Sequence, residues 1–205
     1  MGCGSSMNAV APLHYVENQN GSALLNNTHG SDVLEYMPQE DIKQADEQAN
    51  KKIESQISIK DLTDILSQDA KNPFVCIRSF FRWISDNIRY DPQSDCTDAM
   101  SVLSVKRCSS EGYANLFEQM CRLRNITVIK IFSFVQNYSF KLDYDSLNDV
   151  KNVHVWNAVL INNSFHFVDC CWGALPVSGQ KIRRNDIEDG DKFFLTSPEI
   201  VGDLC

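Results

Sequence analysis

The sequence predicts an α+β fold in which several helices precede an antiparallel sheet. Apolar residues recur at helical spacing over 73–87 and again over 110–123. After residue 125 the pattern changes to alternating β-branched and aromatic residues, which is typical of strands. Helices that come first and strands that follow favour an α+β architecture over an alternating α/β one.

Each element is predicted from its own local signals. A short capped helix is predicted over 61–66, a stronger one begins at Pro73 and ends near Asn87, and a helical turn is possible over 99–103. The next helix begins at or just after Ser110. Strands are predicted over these ranges: 127–135, 154–161, 165–169 and 193–195. Asn162, Asn163 and Ser164 form the hairpin turn between the second and third strands.

The composition restricts the possible functions. The chain has 205 residues, a net charge of -8 and 43% hydrophobic residues, which suits one globular domain with a tail. The acidic balance argues against a nucleic-acid partner, because phosphate neutralisation needs clustered Lys and Arg. The eight cysteines show no zinc-binding spacing, so we expect reduced, mostly buried thiols and neither a metal nor a cofactor.

The N-terminus carries a possible lipid-attachment signal. The first six residues, MGCGSS, fit the pattern for myristoylation of Gly2. One myristoyl chain binds a membrane only marginally, and palmitoylation of Cys3 is the second signal that the sequence offers. The alternative is a chance match at a start rich in small residues. With no secretory signal peptide in view, we predict the cytoplasmic face of the plasma membrane or the cytoplasm.

The chain is predicted to divide near residue 50. Residues 1–50 are rich in Asn, Ser, Gln and acids, without sustained periodicity, and are interpreted as a mostly disordered tether. A short helical turn is possible over 31–37. The ordered domain is placed at 51–205, and its first apolar residues are found near Ile53.

Three residues are spaced as a catalytic triad would be. Ser110 stands at a predicted helix N-terminus, His154 opens one strand, and Asp169 closes the next. Because an antiparallel hairpin brings those two strand ends together, the helix start would pack beside both. Taken singly, the three residues have ordinary interpretations, namely a helix cap, a satisfied histidine and a turn aspartate.

Four segments resemble motifs of the transglutaminase-like core domain, in particular its kyphoscoliosis-peptidase and hillarin branch. They are 78–91 (RSFFRWISDNIRYD), 154–159 (HVWNAV), 168–174 (VDCCWGA) and 193–199 (FFLTSPE). The resemblance covers about residues 53–199. It implies a papain-like fold, in which a helical part carries the nucleophile and a sheet carries His154 and Asp169.

The nucleophile motif departs from that pattern. Alignment on 112–117 puts Ser110 in the position of the catalytic cysteine and Cys108 in a glycine position. The favoured interpretation is a catalytically impaired pseudoenzyme that binds protein at the membrane or cortical cytoskeleton. The alternatives are an active peptidase or acyltransferase, acting on a protein substrate, that uses either Ser110 or, after a two-residue slip, Cys108. An engineered Cys→Ser change is a further alternative.

Overall fold

The computed structural model describes residues 15–17, 38–54, 56–134, 153–174, 191 and 193–196. Within them the chain forms helices and strands in the predicted order, framed by elements that the sequence did not reveal. The helices are α1 (Gln39–Ala49), α2 (Ile59–Leu66), α3 (Pro73–Asn87), α4 (Ala99–Val105), α5 (Ser110–Leu123) and α6 (Cys170–Ala174). The strands are β1 (Tyr15–Glu17), β2 (Arg89–Tyr90), β3 (Arg107–Cys108), β4 (Val128–Phe134), β5 (Val153–Ile161), β6 (Ser164–Val168) and β7 (Phe194–Thr196).

The main sheet is antiparallel, with strand order β1-β4-β5-β6-β7. β5 and β6 are joined by a two-residue turn at Asn162 and Asn163, whose φ angles are 49° and 64°. Asparagine tolerates this left-handed backbone, which matches the twist of a tight hairpin. The predicted hairpin is therefore confirmed, as is the α+β fold class.

The helices begin where the sequence supplies capping groups. The Asn72 side chain accepts the backbone N–H of Val75 at 3.1 Å, and Pro73 follows as the first helical residue of α3. Ser58 and Asp98 cap α2 and α4 in the same way. These contacts satisfy N–H groups that have no partner inside the helix. The predicted limits of α3 are confirmed, and α4 extends the predicted turn over 99–103 by two residues.

Helix α1 corrects the prediction that order begins near Ile53. Its sequence is QEDIKQADEQA, so it has little apolar periodicity. It is held by polar contacts to α3: Asp46 pairs with Arg78, and the backbone carbonyl of Ala45 accepts the Ser79 hydroxyl at 3.1 Å. Periodicity cannot reveal a helix whose partners are ionic and lie more than thirty residues away. Residues 31–37 lie outside the described residues.

Strand β7 contains a bulge close to the predicted site. Phe194 pairs with Val168 and Thr196 with Phe167, so Leu195 is the extra residue, and its φ is 52°. Such a residue interrupts the alternation of a strand. As a result three consecutive β7 side chains are buried, and no alternating pattern marks this strand.

The core lies between the helices and the sheet. Helices α3 and α5 contribute fully buried aromatic side chains, including Phe80, Phe81 and Phe117, to the largest apolar cluster. This packing seats the first turn of α5 against β5. Among the helices of the described residues, none combines the length and the apolar character that crossing a bilayer requires.

Candidate active site

Ser110 is the first residue of α5, as the sequence predicted. Ser109 precedes the helix in an extended conformation, and Ser110 is 7% exposed. The hydroxyl oxygen Oγ of Ser110 accepts the backbone N–H of Val155 at 3.2 Å. The side chain therefore points from the helix start towards the beginning of β5, where His154 precedes Val155.

The sheet leaves room for this contact. β6 pairs with β5 only from Asn157 onward, opposite Val168. At Val155, two residues earlier, β6 no longer pairs with β5. The backbone N–H of Val155 therefore donates to the Ser110 hydroxyl and not to β6. The side chain of Asn157 donates to the Ala114 carbonyl at 3.3 Å, which joins the same strand to the next turn of α5.

His154 and Asp169 form a buried pair at the ends of neighbouring strands. Nε2 of His154 lies 2.5 Å from Oδ2 of Asp169, and both residues are 7% exposed. A carboxylate only accepts hydrogen bonds, so the shared hydrogen is carried by Nε2. In the neutral imidazole Nδ1 then keeps its lone pair, which is the form that a general base needs.

The second oxygen of Asp169 starts helix α6. Oδ1 accepts the backbone N–H of Trp172 at 2.9 Å, as the capping residue of a helix does. Cys170 and Cys171 lie in this helix, which the sequence did not predict. Burial raises the pKa of both thiols well above the usual value. Among the described residues, no group of three His, Cys, Asp or Glu side chains is arranged to hold a metal.

Two tryptophans stack on the imidazole of His154. The ring centroids of His154 and Trp172 are 4.8 Å apart, and those of His154 and Trp156 are 5.5 Å apart. Trp156 lies two residues further along β5 and thus on the same face of the strand. In the sequence both tryptophans stand out only as motif residues. The i, i+2 spacing of His154 and Trp156 could have predicted the first stack. The stack with Trp172 could not be predicted, because it depends on the turn into α6.

Cys108 is packed into the core beside Gly112. It lies in β3, which pairs in parallel with β2, and it is fully buried. A β-carbon on Gly112 would lie 2.8 Å from the Cys108 sulfur and 2.8 Å from the carbonyl oxygen of Cys96. Burial, together with the nearby Cys96 thiol, raises the pKa of Cys108 to about 12.

The structure thus brings Ser110, His154 and Asp169 to one end of the sheet. Cys108 is held two residues before the helix by the β2–β3 pairing and by its contact with Gly112. Gly2 and Cys3 lie outside the described residues, and their acylation stays a prediction.

Comparison with known proteins identifies the family. The profile of the Transglutaminase-like superfamily matches residues 60–170. The kyphoscoliosis peptidase of Mus musculus is 27% identical over 156 residues, which are 71% of this chain and 23% of that protein. Hillarin of Drosophila melanogaster is 28% identical over 136 residues, which cover 59% of this chain and 16% of hillarin. The chain therefore spans less than a quarter of these relatives.

One solved structure that aligns with part of this chain is the periplasmic domain of TgpA from Pseudomonas aeruginosa. It aligns with a TM-score of 0.46 and 13% identity over 63% of this chain and 47% of that chain. The family assignment rests on the profile, which matches more than half of the chain, and the relatives agree with the branch that the sequence motifs indicated. The chain belongs to the transglutaminase-like superfamily, in the branch of kyphoscoliosis peptidase and hillarin.

Proposed function

We propose that this chain is a membrane-tethered transglutaminase-like domain that binds a protein partner and whose own catalysis is impaired. The observation that carries the proposal is the hydroxyl of Ser110 at the helix start, beside a retained His154–Asp169 pair. A cysteine at this position would be ionised by the helix N-terminus and by a neighbouring imidazolium. Serine offers the same geometry without an ionised nucleophile.

The size of the effect that a helix N-terminus has on a side-chain pKa favours impaired catalysis. Charge stabilisation at a helix N-terminus is worth about 0.3–1 kcal/mol, or less than one pKa unit. That shift raises the thiolate fraction of a thiol whose usual pKa is about 8.5, but it leaves a serine hydroxyl un-ionised at neutral pH. His154 would then have to remove the proton during the reaction itself, in a site built for an ion pair. The environment of Cys108 supports a packing role for that residue.

The retained His154–Asp169 pair supports one alternative, an active peptidase or acyltransferase. Ser, His and Asp form a working triad on several unrelated folds. The similar proteins of mouse and human are named peptidases. In this alternative Ser110 is the nucleophile, or Cys108 after a shift of the β3–α5 turn, and a protein is the substrate.

Active-site labelling separates the two functions. Wild-type protein is treated with a fluorophosphonate and, separately, with iodoacetamide, and the modified peptides are mapped. We expect no selective labelling of Ser110 or Cys108, whereas Ser110→Cys should gain rapid alkylation at position 110 that His154→Ala removes. Labelling of wild-type Ser110 or Cys108 that depends on His154 would contradict the impaired function and establish the active one.

The membrane part of the proposal has its own test. Acylation of Gly2 and Cys3 predicts attachment to the cytoplasmic face of the plasma membrane, where the partner would be a component of the membrane or cortical cytoskeleton. Gly2→Ala blocks myristoylation and should move the protein to the soluble fraction. Equal membrane recovery of wild type and Gly2→Ala would contradict lipid tethering.

A further inference from the structure

A polar cavity away from Ser110 gathers lysines from separate parts of the chain. It has a volume of about 350 Å³ and lies where the end of α1, the following loop, α3 and the end of α4 meet. Lys51 and Lys52 come from the loop, and Lys106 comes from the residue after α4. The sequence separates these groups by more than fifty residues, so no basic run in it reveals the cavity.

Lys106 is held in the wall of this cavity by its backbone and by Trp83. Its φ angle is 59°, in the left-handed region, and its carbonyl accepts the N–H of Arg89 at 2.9 Å. Its ammonium lies 4.4 Å from the centroid of the Trp83 ring. Burial lowers the pKa of Lys106 by removing water from its ammonium. Within the described part of the chain no carboxylate forms an ion pair with it. An anion in the cavity would supply that missing charge.

The acidic residues that line the cavity do not balance its lysines, so the cavity has an excess of positive charge. Two carboxylates, Glu54 and Asp86, line it together with the three lysines. Asp86 lies 3.7 Å from the guanidinium of Arg82, which offsets its charge, and Glu54 is exposed. Lys51 also approaches the side-chain oxygen of Gln68 at 3.3 Å, a neutral partner that leaves its charge uncompensated.

We propose that this cavity binds a phosphate monoester. Three lysines that line a small volume suit a compact, multiply charged anion, and lysine binds phosphate as a point charge. The volume fits a headgroup-sized molecule rather than a polymer. The phosphate can belong to an inositol lipid or to a soluble sugar phosphate, and the two sources share this recognition chemistry. The proposal does not rest on acylation or on impaired catalysis.

The test uses the full chain purified without acylation. Binding is measured to phosphatidylcholine vesicles that contain a phosphatidylinositol bisphosphate, to vesicles of equal charge made with phosphatidylserine, and to soluble inositol trisphosphate. We expect saturable binding to the inositol lipid that exceeds binding to phosphatidylserine. Binding to inositol trisphosphate as well would identify a soluble phosphate as sufficient, and binding to vesicles alone would identify the lipid as the source.

Two charge-matched variants locate the site. The cavity variant carries Lys51→Gln, Lys52→Gln and Lys106→Asn, in which asparagine tolerates the left-handed backbone of residue 106. The control carries Lys43→Gln, Lys60→Gln and Lys71→Gln, all at exposed lysines away from the cavity. We expect the cavity variant to bind about tenfold more weakly or worse, with the control unchanged.

Three results would overturn the proposal. They are no binding to either inositol probe, equal binding to phosphatidylserine vesicles, or equal weakening by the two triple variants. Circular dichroism and urea unfolding check that each variant folds. Should Lys106→Asn unfold the protein, the pair Lys51→Gln and Lys52→Gln, at exposed positions, is compared with Lys43→Gln and Lys60→Gln on the same criteria.

Discussion

Nε2 of His154 lies 2.5 Å from Oδ2 of Asp169, and the other oxygen of Asp169 accepts the backbone N–H of Trp172. One buried carboxylate therefore orients the imidazole and begins helix α6. Trp172, positioned by that helix, stacks on the imidazole in turn. The pair is consequently part of the packing of this domain, whatever reaction Ser110 permits.

Replacing Asp169 should destabilise the fold. Asp169→Ala leaves the buried ring N–H of His154 and the partly buried backbone N–H of Trp172 without an acceptor. Each unsatisfied donor costs about 1–3 kcal/mol, so we expect a loss of about 2–6 kcal/mol in unfolding free energy. Asp169→Asn keeps one side-chain oxygen and should lose less. Urea unfolding of the three proteins measures the order. Equal stability of wild type and Asp169→Ala would show that the carboxylate has no structural role.

Much of the fold followed from local signals in the sequence. Asn72 and Pro73 start α3, and Asn162 with Asn163 makes the hairpin, because caps and turns depend on neighbouring residues alone. The paired strands β2 and β3 were missed since two residues give no periodicity. Leu195 was missed as a bulge because its left-handed backbone is imposed by the packing of β7 and not by its residue type.

The elements that carry the site residues could be predicted from the sequence, but their contacts could not. Strand ends and a helix start placed Ser110, His154 and Asp169 together, since antiparallel pairing fixes which ends meet. The Val155 contact of Ser110 was beyond sequence reasoning, because it depends on where β6 stops pairing. The burial of Cys108 could not be predicted either, because it depends on the contact with Gly112 and on the pairing with strand β2.

Arg78 should be a second determinant of stability. Its side chain is 1% exposed, and it forms ion pairs of 2.9 Å with Asp46 and with Asp191. Asp46→Asn combined with Asp191→Asn leaves a buried guanidinium without a counter-charge, which we expect to cost about 3–5 kcal/mol. Urea unfolding measures the loss, and limited proteolysis should show earlier cleavage near α1.

The matched control for this prediction is a carboxylate near the surface. Asp64 pairs with Lys60 and Arg124, and its side chain is 44% exposed. Asp64→Asn should leave the unfolding midpoint nearly unchanged, because exposed ion pairs contribute little. A loss for Asp64→Asn as large as for the double variant would contradict the special role of Arg78.

Gly112 should tolerate no side chain while Cys108 is present. A β-carbon at residue 112 would lie 2.5 Å from the Cys108 β-carbon, so the two cannot coexist without a backbone shift. We expect Gly112→Ala to cost about 1–3 kcal/mol. The double variant with Cys108→Gly removes the two contacts with Cys108, while the Cys96 carbonyl oxygen stays 2.8 Å from the added β-carbon. It should therefore lose less than the sum of the two single changes. Strict additivity of the two losses would mean that the clash is relieved elsewhere.

The buried thiol of Cys108 predicts a pH dependence of stability. Its pKa in the folded protein is raised to about 12 by burial and the nearby Cys96 thiol, whereas the pKa of an unfolded thiol is about 8.5. The stabilisation is therefore complete below about pH 8.5 and is lost as pH rises towards 12, because the unfolded chain releases the proton first.

Unfolding free energy measured at increasing pH should fall less steeply in Cys108→Ala than in the wild type. The cavity left by Cys108→Ala lowers the unfolding free energy equally at every pH. A change in the slope of unfolding free energy against pH therefore reports ionisation of the Cys108 thiol and not the loss of its packing. Iodoacetamide gives an independent check on the same thiol: in the folded protein Cys108 should be alkylated far more slowly than in urea. An unchanged slope together with fast alkylation of the folded protein would show that Cys108 ionises readily, which would return it to consideration as a nucleophile.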